Sequence, residues 1–565
     1  MSNLYIIVPA IISLLLFAHA ANKIKTVALF CLMCFTSSWL LAQKTTPADT
    51  VKKTTPVDTG KKVIPKDTVK KVTPVDTIKP GSGPVKEQLK QIKAVKKTLT
   101  DSTAGGQPKK NPFIDTTFQN KYGDLLNDDI KYNKRYPVWK PFVNILGVDV
   151  FIWSLDRFVL NESFSHIGPA TWKYNLRKGW QWDDDRFGVN FVAHPYSGSL
   201  YFNAARSQGY NYVQSLPYTA AGSLMWEYFG ENTRPSYNDI INTTANGAFL
   251  GEIFYRLSSN ILDDRTTGGN RVVREIAAGL IDPVRGLNRL LQGKTFRHTT
   301  TEVYEKEPLN ITLFAGIHKI NVDNNTVFGN GPTNFLINLQ LDYGNPFEDI
   351  HRKPFDLFRF RTELSFGSGR KVIDNVTGYG ILFGGNTGTG KFSMLYGAFQ
   401  YYDYWDNKTF ELGTIGLGGG LITKYSFNKD VILYTSFHAA FVPLAGNSTR
   451  FGPDTSQVRD YTYNDGIEAN LEARLNFGKY VSTSLTYYYY ILHTFVGPPG
   501  DNYIAILKPR ITVQIFKNTS IGFEHFIYYD DRYLKNFPPI FSVRTEQKIF
   551  LSLFLEDPQR KGRYN

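Results

Sequence analysis

The middle of the chain carries four side chains of the types that acid–base chemistry uses: His194, Glu227, Glu231 and Asp239. Histidine and carboxyl groups are the side chains that most often accept and release protons in catalysis. Glu227 and Glu231 are four residues apart, so they share one face if their segment is helical. We therefore take these four residues as candidate catalytic groups. In the alternative interpretation, they satisfy one another between packed helices.

Two further charged residues accompany them. Arg206 is expected to be the charge partner of Glu227 or Glu231, and Glu252 is a second candidate for ligand or charge contact. The sequence contains neither the H-E-x-x-H zinc pattern nor the G-x-S-x-G nucleophile elbow. No metal site and no cofactor is therefore predicted, and whether the chain is an enzyme stays open.

These residues fall in a segment, 140–295, that reads as helices. Thr243, Gly247 and Gly251 recur every fourth residue, which predicts a stripe of small side chains that lets a second helix approach closely. Residues 219–231 are apolar on nearly all sides, so they are expected to be buried. The predicted helices are 197–208, a segment through 219–231, and a long helix from Ser236 to Leu262.

A last short helix is expected within 280–297. Its basic residues Arg285, Arg289 and Lys294 alternate with leucines, a pattern typical of helices that lie on a membrane surface. We expect this helix to lie on the inner leaflet of the outer membrane just before the first strand.

The C-terminal part changes to an alternating pattern. From 309 to 556 about twelve strand-like runs are separated by Gly, Asn, Asp and Pro, and residues 466–478 alternate strictly between apolar and polar side chains. A period of two means a strand with one apolar and one polar side. The spacing of the runs and the aromatic residues near their ends favour a transmembrane β-barrel over a soluble sandwich.

A barrel places the polar side of each strand in its lumen. These side chains either pack together and fill a narrow interior, or line a polar conduit. The residues expected to face the lumen are Arg359, Arg361, Glu363, Glu468, Glu472 and Arg474.

The N-terminal part predicts export. Residues 26–42 follow two lysines and have the apolar core and small terminal residue of a signal peptide, with cleavage after Ala42. Residues 43–111 contain nine-residue Pro/Thr/Lys repeats and hold most of the net charge of +14. This basic balance belongs to an extended linker, so nucleic-acid binding is not expected. Both cysteines, Cys31 and Cys34, lie in the leader.

The helical region contains a series of Gly, Pro, aromatic and charged residues at characteristic positions. The series is His194-Pro195, Gly198, Tyr201, Ala205-Arg206, Gly209, Trp226-Glu227-Tyr228, Glu231, Pro235-Ser236, Asp239, Gly247, Gly251-Glu252, Asp282-Pro283, Gly286, Asn288-Arg289 and Gly293. In these residues the region resembles a bacterial family of unknown function that pairs such a region with a C-terminal outer-membrane β-barrel. The family is not associated with an activity, so the resemblance implies architecture and assigns no catalytic residue.

The sequence therefore predicts an α+β chain, with a helical domain followed by an antiparallel transmembrane β-barrel of about twelve strands. The expected divisions are a leader at 1–42, a linker at 43–111, a helical domain at 112–298 and a barrel at 299–565. The expected function is an outer-membrane protein with a helical plug or periplasmic domain, acting in envelope structure or passage of a small solute. The alternative is an envelope hydrolase that acts on lipid or cell-wall material through the helical domain. The expected partners are outer-membrane lipid and, through the basic linker, peptidoglycan or lipopolysaccharide.

Overall fold

The computed structural model describes residues 135–323, 326–348, 352–367, 372–407, 409–449 and 461–556. The predicted leader and linker lie outside the described residues. The described part is a group of helices followed by a β-barrel, and both belong to one compact unit.

Seven α-helices are described before the barrel, and short π-helical turns flank several of them. Residues 189–193 form such a turn directly before α3, and residues 226–230 extend α4. The helices are α1 (Trp139–Ser154), α2 (Pro169–Lys178), α3 (His194–Arg206), α4 (Tyr212–Met225), α5 (Tyr237–Ile261), α6 (Gly268–Ile281) and α7 (Pro283–Leu291). Among the residues that the structure describes, no helix is both long enough and apolar enough to cross a membrane.

Twelve strands close into one barrel, in which β1 pairs with β12 and each strand is antiparallel to its neighbours. The predicted α+β architecture with about twelve strands is confirmed. The strands are β1 (Leu309–Ile320), β2 (Thr333–Tyr343), β3 (Phe358–Phe366), β4 (Ile373–Thr389), β5 (Phe392–Asp406), β6 (Phe410–Ser426), β7 (Val431–Thr449), β8 (Thr462–Phe477), β9 (Val481–Val496), β10 (Gly500–Phe516), β11 (Thr519–Leu534) and β12 (Ile540–Leu555).

The alternating pattern of β8 is resolved as expected. Ile467 and Leu471 point away from the barrel and are 53% and 45% exposed, whereas Glu472 bonds to Arg359 and Arg361 of β3. Because β3 and β8 are not neighbours, that contact crosses the lumen. The apolar side of the strand therefore faces out and the charged side faces in.

The two ends of the barrel differ. At one end four of the five connections are short, such as 390–391 and 517–518, the exception being 344–357 between β2 and β3, and the chain enters β1 and leaves β12 there. We call this the short-turn end. The opposite end carries two long connections, 321–332 and 450–461, and we call it the long-loop end.

Two helices cross at a point where neither has a side chain. A Cβ atom on Gly198 of α3 would lie 1.9 Å from the carbonyl oxygen of Thr243, and one on Gly247 of α5 would lie 2.5 Å from the Cα of Gly198. The backbones therefore touch directly, as the stripe of small residues predicted. Gly251 continues the contact, because its missing side chain leaves room for the ring of Phe202.

The helices pack against the outer wall of the barrel. Phe191 lies over Gly413 of β6 and Gly446 of β7, and Phe249 of α5 approaches Gly378 of β4. These glycines point outward, and their missing side chains leave hollows that the aromatic rings fill. The buried apolar cluster at this contact also contains Tyr402.

The long helix α5 follows the wall from one end to the other. Near its start Asn238 bonds to Asp183, which accepts a hydrogen bond from Tyr463 near the long-loop end of β8. At its end Asn260 donates to the carbonyl of Glu307, just before β1 at the short-turn end. A helix of 25 residues is about 38 Å long at ~1.5 Å per residue.

This placement corrects the expected helical plug. The described helices contact outward-facing strand residues, whereas the lumen cavity is lined by barrel residues and their connections. The physical reason is that inward-facing charged and aromatic side chains fill the middle of the lumen and its long-loop half, so a helix cannot run through the barrel.

Candidate functional site

Five side chains meet where α3, α5 and the end of α4 approach the barrel wall near the long-loop end. We call His194, Asp239, Asp183, Glu227 and Glu231 the acidic cluster. His194 Nε2 lies 3.4 Å from Asp239 Oδ1, and their side chains are 15% and 2% exposed. The structure therefore brings His194 and Asp239 together. A hydroxyl group is also near, because Thr243 Oγ1 lies 3.4 Å from His194 Nδ1.

Asp183 joins the helices to the barrel. Its Oδ1 accepts hydrogen bonds from Asn190 Nδ2 at 3.0 Å, from Asn238 Nδ2 at 2.9 Å and from the Tyr463 hydroxyl at 3.0 Å. Although burial works against its charge, hydrogen bonds from Asp239, Asn190 and Asn238 hold the pKa of Asp183 below its usual value. Asp183 is therefore the carboxylate that carries the charge in the acidic cluster.

The sequence analysis missed Asp183. It stands in a run of three aspartates outside any helical pattern, and such a run usually indicates a solvated loop. Only the tertiary contact with Tyr463 shows that this one aspartate is buried. The neighbouring Asp184 and Asp185 are exposed.

The other carboxyl groups of the acidic cluster are held neutral. Burial raises the pKa of Glu227 well above its usual value, and the neighbouring carboxyl group of Glu231 raises it further because the two groups disfavour a charge on each other, although a hydrogen bond from the Ser236 amide at 2.7 Å opposes the shift. Burial and the charge of Asp183 likewise raise the pKa of Asp239. The pKa of Glu231 is raised by burial and by neighbouring carboxyl groups.

Histidine in this cluster is also neutral. Burial lowers the pKa of His194, and the charge of Asp183 only partly opposes this. A neutral imidazole beside a protonated acid and an ionised carboxylate has the components of a proton relay. The cluster is largely enclosed, however, since Glu227 and Asp239 are buried and only His194 and Glu231 are partly accessible.

Arg206 and Glu252 form a second polar site. Arg206 Nε donates to Glu252 Oε2 at 2.7 Å, and Arg256 Nε donates to Glu252 Oε1 at 2.8 Å. Arg256 also bonds to Asp356, in the connection that precedes β3. The expected pairing of Arg206 with Glu227 or Glu231 is wrong, because Glu252 is the buried carboxylate that α5 presents to it.

The middle of the lumen is crossed by ion pairs. Arg359 bonds to Asp342 at 2.5 Å and to Glu472 at 3.0 Å, and Arg361 bonds to Glu472 at 3.1 Å. These contacts join β2, β3 and β8 across the interior. Three further residues predicted to face the lumen also have inward partners. Glu468 accepts from Thr414, Glu363 bonds to Lys548, and Arg474 lies over the ring of Tyr434.

An aromatic and aliphatic cluster fills the lumen between these ion pairs and the long-loop end. Its members are nearly inaccessible to solvent and come from strands on different sides of the barrel. They are Trp405, Phe410, Leu412, Val442, Ala445, Tyr488, Tyr490, Leu492, Ile504, Ile506, Phe526 and Tyr528. On the other side of the ion pairs lies a cavity of about 1030 Å³, lined by Asp342, Arg474 and the turn residue Lys517 among others.

One group inside the barrel has the spacing of a metal site within the described ranges: His318, Glu363 and Glu546. Lys548 bonds to Glu363 and its ammonium lies 3.4 Å from a Glu546 carboxylate oxygen. His318 Nε2 is also engaged, at 2.8 Å from Ser365 Oγ. The single ammonium group lies between the two carboxylates and His318 contacts Glu546, so these residues form a closed ion-pair network.

Comparisons with known proteins find similar solved structures of a porin, an outer membrane channel and a transporter, all at low sequence identity. No protein of curated function matches the sequence. Among solved structures, the NanC porin is similar at 6% identity and a TM-score of 0.25, over 43% of this chain and 98% of that chain. The outer membrane channel DcaP of Acinetobacter baumannii is similar at 7% identity and a TM-score of 0.21, over 44% and 96%. The Pseudomonas putida toluene transporter TodX is similar at 7% identity and a TM-score of 0.20, over 45% and 90%.

These identities and scores are too low to support an inference about function. Residues 179–284 match the model of a domain of unknown function, DUF3943, and the predicted resemblance of the helical region to a family without an assigned activity is confirmed.

Proposed function

We propose that this chain is an outer-membrane protein whose closed barrel anchors the helices and acts in envelope structure. The outward apolar side chains of the strands support a place in the membrane, because a closed antiparallel barrel leaves no unpaired strand edge in hydrocarbon. The short-turn end, where the chain enters and leaves the barrel, then faces the periplasm, and the long-loop end faces outward.

The filled lumen is the observation that favours a role in envelope structure over a role in solute passage. A solute that entered the periplasmic cavity would meet the ion pairs of Arg359, Arg361 and Glu472, and then the packed rings around Trp405 and Tyr490. Moving a buried charged group without its partner costs several kcal/mol, about 3–5 in measured cases. The described interior therefore favours a plugged scaffold.

Planar-bilayer conductance tests this proposal. The mature protein is expected to insert without forming steady channels. The matched variant replaces Trp405, Tyr488, Tyr490 and Tyr528 by alanine, and it is expected to conduct because it empties the aromatic part of the lumen. As a folding control, both proteins should keep the compact form of a closed barrel on gel electrophoresis in unheated detergent. Steady channels formed by the unmodified protein would refute the scaffold role and support solute passage.

A second candidate function is acid–base catalysis on a lipid by the acidic cluster. The approach of His194 to Asp239, with an ionised Asp183 beside them, is the observation that favours it. The cluster lies against the outer wall near the long-loop end, so the head group of an outer-leaflet lipid is the substrate class within reach. Glu227 and Glu231 then serve as a reserve of protons.

Lipid analysis by mass spectrometry tests the second function. Membranes from cells that express the chain are compared with membranes that carry the His194→Asn or Asp183→Asn variant. A catalytic role predicts a lipid product that both variants lose. Asp184→Asn is the matched control, because Asp184 is an exposed neighbour and its change is expected to leave the product in place. Identical lipid profiles in all four samples would exclude this activity.

A further inference from the structure

The helices on the barrel wall have an inverted distribution of polar and apolar side chains. In α6 the exposed side chains include Val273 at 66% and Ile276 at 57%, whereas Arg271 is 7% exposed. In α7 Leu287 and Leu291 are exposed. On this pair of helices, arginines are buried while the larger exposed side chains include valine, isoleucine and leucine.

The inward arginines are fully engaged. Arg289 bonds to Glu275 at 2.9 Å and to Asp264 at 3.0 Å, and Arg285 donates to the Tyr255 carbonyl and the Ser259 hydroxyl. The short helix forms, but Arg285 and Arg289 are buried, so they do not form the exposed basic side of an amphipathic helix. Their charges are used inside the helical unit, which leaves leucines on the surface of α7.

The first helix repeats the inversion. Asp149 of α1 is 9% exposed and accepts a hydrogen bond from the Tyr201 hydroxyl at 2.5 Å, whereas Val143, Leu146 and Phe151 are 56%, 53% and 65% exposed. An isolated exposed leucine is ordinary in a soluble protein, but contiguous apolar faces on three helices are not. Polar groups inside and apolar groups outside are the arrangement that hydrocarbon favours.

The position of the helices indicates what covers these faces. The inner side of α6, at Ala278 and Ile281, belongs to the same buried cluster as the outward-facing Leu555 of β12. Leu551 and Ile549 precede Leu555 on the same face of β12, and they point outward and are 52% and 48% exposed. The surface of the barrel and the surface of the helices are thus continuous, and the helices stand where a barrel normally touches lipid.

We infer that the exposed apolar faces of α1, α6 and α7 are embedded in the hydrocarbon of the membrane beside the barrel, so that the chain meets lipid with a mixed wall of strands and helices. This inference rests on the proposed place of the barrel in the outer membrane. The length of α5, about 38 Å at ~1.5 Å per residue, is sufficient to follow the wall across a hydrocarbon core of about 30 Å.

Single-cysteine labelling tests the inference, because both native cysteines precede the expected cleavage site. Val273→Cys and Phe151→Cys report on the helices. Leu471→Cys reports on the outer face of the barrel, and Lys429→Cys, in an exposed turn, reports on water. Each mature variant is labelled with an environment-sensitive fluorophore and reconstituted in phosphatidylcholine vesicles.

Quenching by lipid-borne nitroxide and by aqueous iodide then separates the outcomes. Labels at 273 and 151 are expected to lose the same fraction of fluorescence to the nitroxide lipid as the label at 471, and to resist iodide. If iodide quenches them as it quenches the label at 429 while 471 stays in lipid, the inference is wrong and the membrane barrel stands. If 471 is also quenched by iodide, the proposed membrane location fails. Protection from both quenchers with cross-links between copies would show that a second copy covers the faces, which also overturns the inference.

Discussion

The direct contact between α3 and α5 allows a prediction with a matched control. Gly198→Ala adds a Cβ atom that would lie 1.9 Å from the Thr243 carbonyl oxygen, a separation that real Cβ atoms do not show. The two backbones must move apart by about 1 Å or more, and overpacking of this kind costs roughly 1–3 kcal/mol. Alanine in a helix gains about 1 kcal/mol over glycine. Because the atoms in the way belong to the backbone, we expect an overpacking cost near the upper end of that range. After subtraction of the gain in helix propensity, the free energy of unfolding should fall by about 2 kcal/mol.

The same substitution at Gly147 of α1 is the control, because nothing lies within 4 Å of the Cβ position there. Gly147→Ala is expected to stabilise the helices by up to about 1 kcal/mol, from helix propensity alone. The two substitutions are therefore expected to change the free energy of unfolding in opposite directions, although both replace a helical glycine by alanine.

Tryptophan fluorescence measures this difference. Apart from Trp39 and Trp405, every tryptophan of the chain lies between 139 and 226, so denaturant unfolding followed by intrinsic fluorescence reports on the helices. The Gly198→Ala midpoint is expected below that of the unmodified protein and the Gly147→Ala midpoint at or above it. Equal midpoints for the two variants would refute the direct backbone contact.

Three further predictions concern the polar networks. Because a raised pKa means that the folded state holds its proton more tightly, Glu227 stabilises the helices below about pH 4.5, the usual pKa of a glutamic acid, and this contribution is lost as the pH rises through the raised value. Glu227→Gln is expected to flatten the decline in the fluorescence midpoint above that pH, and an unchanged slope would contradict the assignment. Glu472→Gln removes the carboxylate that two lumen arginines share and is expected to destabilise the barrel by about 3 kcal/mol. The compact form on gel electrophoresis should then be lost at a lower temperature. An unaltered temperature would show that solvent screens these ion pairs. Arg206→Ala leaves Glu252 with one arginine and is expected to lower the stability of the helices by about 2 kcal/mol. Arg206→Lys should be intermediate, because a lysine cannot make the bidentate contact. Equal fluorescence midpoints for these two variants would argue against that contact.

The sequence by itself determined the strands. A strict period of two, as in residues 466–478, places Leu471 and Glu472 on opposite faces of one strand, and the barrel interpretation then turned the apolar face outward. The small-residue stripe at Gly247 is an equally local signal, because it depends on side-chain size within a few residues. These features needed no knowledge of distant parts of the chain.

Only the tertiary structure decided where the helices lie and which carboxyl groups meet. The outward glycines of the strands, such as Gly413, carry no helix-packing signal in sequence, yet they form the hollows that receive Phe191. The partner of Arg206 and the burial of Asp183 depend on contacts between segments far apart in the chain, and a period or spacing cannot encode such contacts. Local patterns fix which face of an element is polar, whereas the environment of that face is set by whatever else folds against it.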